Sequence, residues 1–299
     1  MKKKILSGLL AGTMMVTLLA GCGSKADDGA DTAEEAKETT EATETTEAED
    51  TSEDAAAEDT VKGDGITFTV GFDAEYPPYG YMDENGDYTG FDLELAQAVC
   101  DLEGWELVKN PINWDSKDME LNSGAIDCVW NGFTINGRED DYTWSVPYVD
   151  NSQVIITSDN SGISSLADLA GKTVGVQAAS AALELLQNPE GQKELGDTFD
   201  TLQEFPDYNS AFVELQAGSI DAIAMDIGVA QYQLKSRGEG FNILDETLNS
   251  EQYGVGFKKG NEELRDKVNE DLQKLLDDGT FAKLAEKYEL SDMVCLEAQ

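Results

Sequence analysis

Arg138 and Asp226 are the two side chains whose placement in this sequence most invites a chemical reading. Arg138 is the only lysine or arginine between Lys117 and Lys172, and it follows the strand-like end Trp130-Asn131-Gly132-Phe133-Thr134. A guanidinium there can clamp a carboxylate with two parallel hydrogen bonds. The alternative is a surface arginine balanced by Glu139, Asp140 and Asp141. Asp226 ends the apolar run Ile220–Met225. It is suited to accept an ammonium, to cap the helix that follows, or to do both. Ser180 opens an alanine-rich helical stretch near Ala181–Leu186. Its hydroxyl and the first helix amides form either an anion site or a plain N-cap. Tyr76 and Trp114 are either the aromatic walls of a side-chain pocket or ordinary core. A cation for a carboxylate, an anion for an ammonium and a pocket for a side chain are what an α-amino acid requires. Singly these signals are weak, and their joint placement carries the expectation.

The elements that must position these groups read as alternating strands and helices. Ile66, Phe68, Val70 and Phe72 alternate with Thr67, Thr69 and Gly71, the pattern of a half-buried strand. The stretch Asp73–Pro78 is expected to be irregular because of its paired prolines, and Asp83–Asp87 to be a turn. Phe91, Leu95, Val99 and Leu102 recur at helical spacing, predicting a helix from about Asp92. The last long helix is predicted over Glu262–Asp278, with Gly279 at its C-cap. The alternation argues for α/β architecture.

An internal echo sharpens this. Leu121-Asn122-Ser123-Gly124-Ala125-Ile126-Asp127 matches Leu215-Gln216-Ala217-Gly218-Ser219-Ile220-Asp221, and Val70-Gly71-Phe72-Asp73-Ala74 matches Val174-Gly175-Val176-Gln177-Ala178. Two copies of one unit suggest two similar lobes. Ligands of open α/β sheets sit at the carboxyl ends of strands. Asp73, Gln177, Asn131 and Asp226 all fall at such ends, which favours a cleft between the lobes.

Composition narrows the function. The 299 residues carry 20 basic and 61 acidic side chains, a formal charge of −41, and no histidine. Such acidity repels phosphate backbones and disfavours nucleic-acid binding. Without histidine, hydrolase and zinc-enzyme readings lose their commonest base and ligand. Cys100, Cys128 and Cys295 show no metal-ligand spacing, and no metal or other cofactor is expected. Cys100 and Cys128 lie in apolar runs, either as buried free thiols or as a disulfide.

At the amino terminus, Lys2–Lys4 precede an apolar run to Ala20, the pattern of a signal peptide over residues 1–21. Leu19-Ala20-Gly21-Cys22 resembles a bacterial lipobox, whose cysteine becomes lipidated; the alternative is an ordinary cleaved signal. Residues 22–64 are almost entirely Glu, Asp, Thr, Ala and other small or polar types. Such a segment cannot bury enough apolar surface to offset its ordering entropy and is expected to be a disordered tether.

Several ordered motifs carry a resemblance to a known family. They are Val70–Tyr79 with Gly90-Phe91-Asp92-Leu93, then Trp114-Asp115, Gly124–Asp127 and Asn131–Ile135, and finally Leu166–Leu169 with Gly171–Gln177. Together they resemble the polar amino-acid solute-binding proteins of ABC importers, family 3, across about residues 66–290. The resemblance implies a type II periplasmic-binding-protein fold with two α/β lobes joined by a two-strand hinge. Lobe 1 would be residues 65–152 with 251–299, and lobe 2 residues 153–250. It implies that Asp73, Tyr76 and Trp114 line the side-chain pocket, and that Asn131, Gly132 and Thr134 hydrogen-bond the ligand. Arg138 and Ser180 would take its carboxylate, Asp226 its ammonium, and Gln177 would sit at the cleft edge. The implied partners are a free amino acid and a permease, with a lipid anchor at the membrane, and the implied state is a monomer. Two departures stand out: Arg138 comes one residue early against the family's usual spacing, and Asn131 stands where serine is usual. The rivals are a dehydratase-like enzyme on the same scaffold, for which Glu75 is the nearest acid, and an amino-acid-sensing surface module.

Overall fold

The computed structural model describes residues 65–297. The signal peptide, Cys22 and the acidic tether expected from the sequence lie outside them.

Two five-stranded sheets form the centres of two lobes. The first runs in the order Glu106–Pro111, Thr67–Phe72, Cys128–Val129, Gly256–Phe257, Thr143–Trp144. The second runs Thr201–Phe205, Thr173–Gln177, Ala222–Asp226, Gln153–Ser158, Phe241–Ile243. In each, the first three strands are parallel, and a strand arriving from the other side of the hinge joins antiparallel. Parallel pairing needs crossover helices, and these supply the apolar layers: Phe91–Glu103 in the first lobe and Tyr208–Ala217 in the second. Phe91, Leu95 and Val99 are fully buried with Phe68, Val70 and Phe72. The second lobe has a further core of its own, with Val174, Val176, Leu183 and Ala224.

The sequence echo is a structural repeat. Val70 pairs with Cys128 and Gly71 with Val129; Val174 pairs with Ala222 and Gly175 with Ile223. A β-carbon on Gly71 would stand 2.4 Å from Ile126 Cδ1, and one on Gly175 would stand 2.7 Å from Ile220 Cδ1. At both sites a β-carbon would push an isoleucine tip aside, so glycine lets the following crossover pack close onto the strand. Each unit closes with an aspartate: Asp127 accepts from the Thr69 amide at 2.6 Å, and Asp221 from the Thr173 amide at 2.9 Å.

The hinge is the two-stranded ribbon of Val149–Asn151 and Glu251–Tyr253, paired antiparallel. The carboxyl-terminal segment pins it from outside, with Asp150 N donating to Met293 O at 2.7 Å and Cys295 N to Tyr148 O at 3.0 Å.

Two local features differ from the sequence reading, and the cysteines take the first of the two states it offered. Asp73–Pro78 is not wholly irregular: Glu75–Tyr76 forms a short strand against Gly80–Met82, just before the cis Pro77–Pro78 bond. The prolines stay off the ladder, so the pairing survives. The last helical stretch is two helices, Glu262–Asp277 and Thr280–Lys287, with Gly279 at φ 79° turning one into the other. Cys100 and Cys128 are buried free thiols, and Cys295 is also free.

Candidate functional site

Residues from both lobes close almost completely over a cavity of about 10 Å³. Its lining is Tyr76, Trp114, Asn131, Gly132, Thr134, Arg138, Gln177, Ser180, Ala181 and Asp226. Every residue expected at the site lines it except Asp73.

Arg138 is 5% exposed despite its charge and its early position in the sequence. Gly137, at φ 83°, makes the left-handed turn that brings it inward. The guanidinium lies 5.3 Å from the Phe133 ring centre, and its nitrogens donate to Thr134 O and Ala179 O at 3.4 Å each. From the second lobe, Glu184 Oε1 approaches Nη2 to 2.8 Å. Lys117 is buried beside it, 5.3 Å over the Trp114 ring, and donates to the same Ala179 carbonyl at 3.4 Å. Burial first, then the neighbouring Arg138 charge, lower the Lys117 pKa. Ala179 reaches this position at φ 54°, uncommon for a residue with a side chain.

Asp226 forms the opposite pole, 3% exposed. Three donors converge on its Oδ1: Asn151 Nδ2 at 2.8 Å, Gln153 Nε2 at 2.7 Å and Tyr253 Oη at 2.6 Å. Burial, with the nearby Glu251 charge second, pushes its pKa up to about 6.

The remaining side chains mostly hold the frame. Asp73 does not line the cavity: Gln177 Nε2 donates to its Oδ2 at 2.6 Å, and the Glu75 amide donates to its Oδ1 at 2.8 Å. A carboxylate buried at a strand end needs donors, and these two absorb it; burial still raises its pKa to about 6. The Gly132 amide is likewise spoken for, donating to Asp92 Oδ2 at 2.5 Å. Asp92 is fully buried, with a pKa pushed up to about 7 by burial, and Tyr148 Oη also donates to it at 2.9 Å. Thr134 donates its hydroxyl to Glu251 Oε1 at 2.9 Å. Ser180 caps its helix, accepting from the Leu183 amide at 3.1 Å. Asn131 accepts from the Asp73 amide at 3.0 Å, while its Nδ2 is buried without a partner. Tyr76 packs 6.1 Å from Tyr208, and Trp114 stands edge-on to Phe133 at 5.4 Å.

Sequence reasoning missed Lys117, Glu184 and Glu251. Lys117 follows Trp114 by one turn, a spacing that could have flagged it. Glu251 lies in the polar run Asn249–Gln252, and its burial depends on a strand a hundred positions earlier.

The two poles come from different lobes and both are buried. Among the described residues no metal-binding cluster is present, and no helix is long and apolar enough to cross a membrane.

Comparison with known proteins agrees with this architecture. The model for bacterial extracellular solute-binding proteins, family 3, matches residues 68–291. The L-cystine-binding protein TcyJ of Escherichia coli K12 is 32% identical over 226 residues, covering 74% of this chain and 82% of that one. The arginine-binding extracellular protein ArtP of Bacillus subtilis 168 is 33% identical over 223 residues, covering 73% and 84%. A histidine-bound substrate-binding protein of an ABC uptake transporter from Streptococcus pneumoniae superposes with a TM-score of 0.71 at 32% identity, covering 74% and 92%. This chain, with its two α/β lobes on a two-strand hinge, belongs to the bacterial extracellular solute-binding proteins of family 3.

Proposed function

We propose that this protein captures a free α-amino acid between its lobes and presents it to the permease of an ABC importer. The observation that supports the reading is the burial of Arg138 and Asp226 at one cavity, contributed by different lobes. The ligand carboxylate binds the guanidinium, displacing Glu184, and its ammonium binds Asp226. Tyr76 and Trp114 flank the side chain, and the unpartnered Asn131 amide donates to it. A zwitterion held this way stabilises the closed form by its differential affinity for that form, with the ribbon Val149–Asn151 and Glu251–Tyr253 as pivot. The lobes divide at about residues 152 and 250, with 65–152 and 251–299 moving as one body. Cys22, lipidated, anchors the chain to the cell membrane, and residues 22–64 are the tether that lets the folded part work as a monomer outside the cytoplasm.

The raised pKa of Asp226 meets one requirement of the dehydratase-like alternative, an acid in the cleft. Its Oδ1 is, however, filled by three donors, an arrangement that holds an acceptor in place.

A thermal-shift screen of residues 60–299 against all amino acids and cystine tests the reading. At a thousandfold excess over Kd a specific ligand adds about 4 kcal/mol. One or a few compounds should therefore raise Tm by several degrees. A flat screen, with turnover of a prephenate-like acid, would contradict binding and favour catalysis.

A further inference from the structure

Behind Asp226 lies a second buried carboxylate that the cavity lining does not include. Glu251 is 4% exposed, in the hinge strand Glu251–Tyr253. Asn151 Nδ2 and Gln153 Nε2 each donate to both acids: to Asp226 Oδ1 at 2.8 and 2.7 Å, and to Glu251 Oε1 at 2.8 Å each. The carbonyl oxygens of these same two amides are buried without partners, so both amides are turned to serve the acids. No lysine or arginine among the described residues forms an ion pair with either acid. Backbone pairing fixes the cluster at the pivot, with Glu251 opposite Asn151 and Asp226 opposite Gln153.

Thr134 Oγ1 and Asn249 Nδ2 also donate to Glu251, at 2.9 Å each, so its charge is well solvated by the protein, and burial beside that charge favours a proton on Asp226. An incoming ammonium supplies the missing positive charge. We infer that Glu251 is a positioning residue that makes the ammonium subsite a proton-exchanging one: in acid the empty subsite holds a proton on Asp226, which passes to the bulk buffer when an amino acid's ammonium takes its place. The inference rests on the amino-acid reading above. Tyr76, Tyr79, Tyr208 and Tyr253 face the pair from the neighbouring elements, and burial holds all four hydroxyls protonated well past neutral pH. Arg138 lines the same cavity as Asp226. The Asp226 carboxyl, raised to about 6, sets the window. Asp73 and Asp92 change charge in the same range, so the readout is the difference between wild type and Glu251→Gln.

The test is calorimetric titration between pH 5 and pH 8, each pH in two buffers of different ionisation heat. L-arginine is the first titrant, followed by the strongest thermal-screen hit other than histidine. Wild type should release close to one proton per ligand at pH 5 and almost none at pH 8. Its Kd should weaken about tenfold per pH unit below pH ~6. Glu251→Gln keeps the side-chain length and an acceptor; it should weaken binding at pH 8 and move the half-release point down by about one pH unit. Binding at pH 8 with no proton release at pH 5 in wild type would overturn the inference and leave amino-acid binding intact. So would a half-release point unmoved in Glu251→Gln. Wild type silent toward every titrant at pH 8 would instead overturn the amino-acid reading, and this inference with it.

Discussion

The two lobes repeat one unit, and comparing the copies shows what the protein kept and what it changed. The framework is shared: strand glycines Gly71 and Gly175 against Ile126 and Ile220, left-handed Gly124 and Gly218 ending the helices, and Asp127 and Asp221 closing onto Thr69 and Thr173. The strand ends diverge. Asp73 in the first copy is Gln177 in the second, and these equivalent positions meet across the gap in a 2.6 Å hydrogen bond. The first lobe then supplies the cations, Arg138 and Lys117, and the second supplies Asp226 and Glu184. Identical units placed face to face would oppose like charges. Divergence at the strand ends makes the two faces complementary, while the glycine and aspartate framework of the unit is kept.

If complementarity is the point, removing either pole should cost the most. Arg138→Ala in the first lobe and Asp226→Ala in the second should each weaken amino-acid binding at least a hundredfold, consistent with about 3–5 kcal/mol for a buried charge left alone. Titration calorimetry measures both, and a large loss in only one would mean that a single lobe does the binding.

The buried acids of the empty protein predict an unusual pH profile. The carboxyls of Asp73 and Asp226 sit at about 6 and that of Asp92 at about 7, all above an ordinary aspartate, chiefly through burial. The folded state therefore binds protons more tightly than the unfolded chain, and stability present near pH 4 is lost as pH rises towards 7. Tm of the ligand-free protein should fall by about 5 °C or more from pH 5 to pH 8. A Tm that rises over that range would mean these acids are well solvated.

The shared framework gives a matched pair. Gly71→Ala and Gly175→Ala should each cost about 1–3 kcal/mol, because each β-carbon forces an isoleucine tip aside. The closer contact at Gly71 should make it the worse of the two. Denaturant melts check this, and a silent variant in one lobe only would break the equivalence of the units.

The smallest effect is expected at Glu184→Gln. The carboxylate is half exposed, and such pairs contribute at most about 1 kcal/mol, so affinity should change less than tenfold. A hundredfold change would make Glu184 part of the binding pole.

Much of this was legible in the residues. The repeat could be read because a glycine at a crowded strand and an aspartate at a strand start leave a fixed spacing. The cavity lining could be read because loops at the carboxyl ends of parallel strands converge. Side-chain engagement could not. Asp73, Gly132 and Thr134 look like ligand groups by position, yet each is occupied by a neighbour that only the fold supplies: Gln177, Asp92 and Glu251. Lys117 and Glu251 escaped notice because neither lies in an apolar pattern, and long-range packing alone buries them.

The claim that a single zwitterion joins the lobes by its two charges is tested most directly on wild-type protein with altered ligands. Calorimetry should compare the preferred amino acid with its methyl ester and with its decarboxylated amine. The ester lacks the charge for Arg138, the amine lacks the whole carboxylate, and both keep the ammonium. The account predicts that each binds at least a hundredfold more weakly than the parent. Affinities within a few fold of the parent would contradict it.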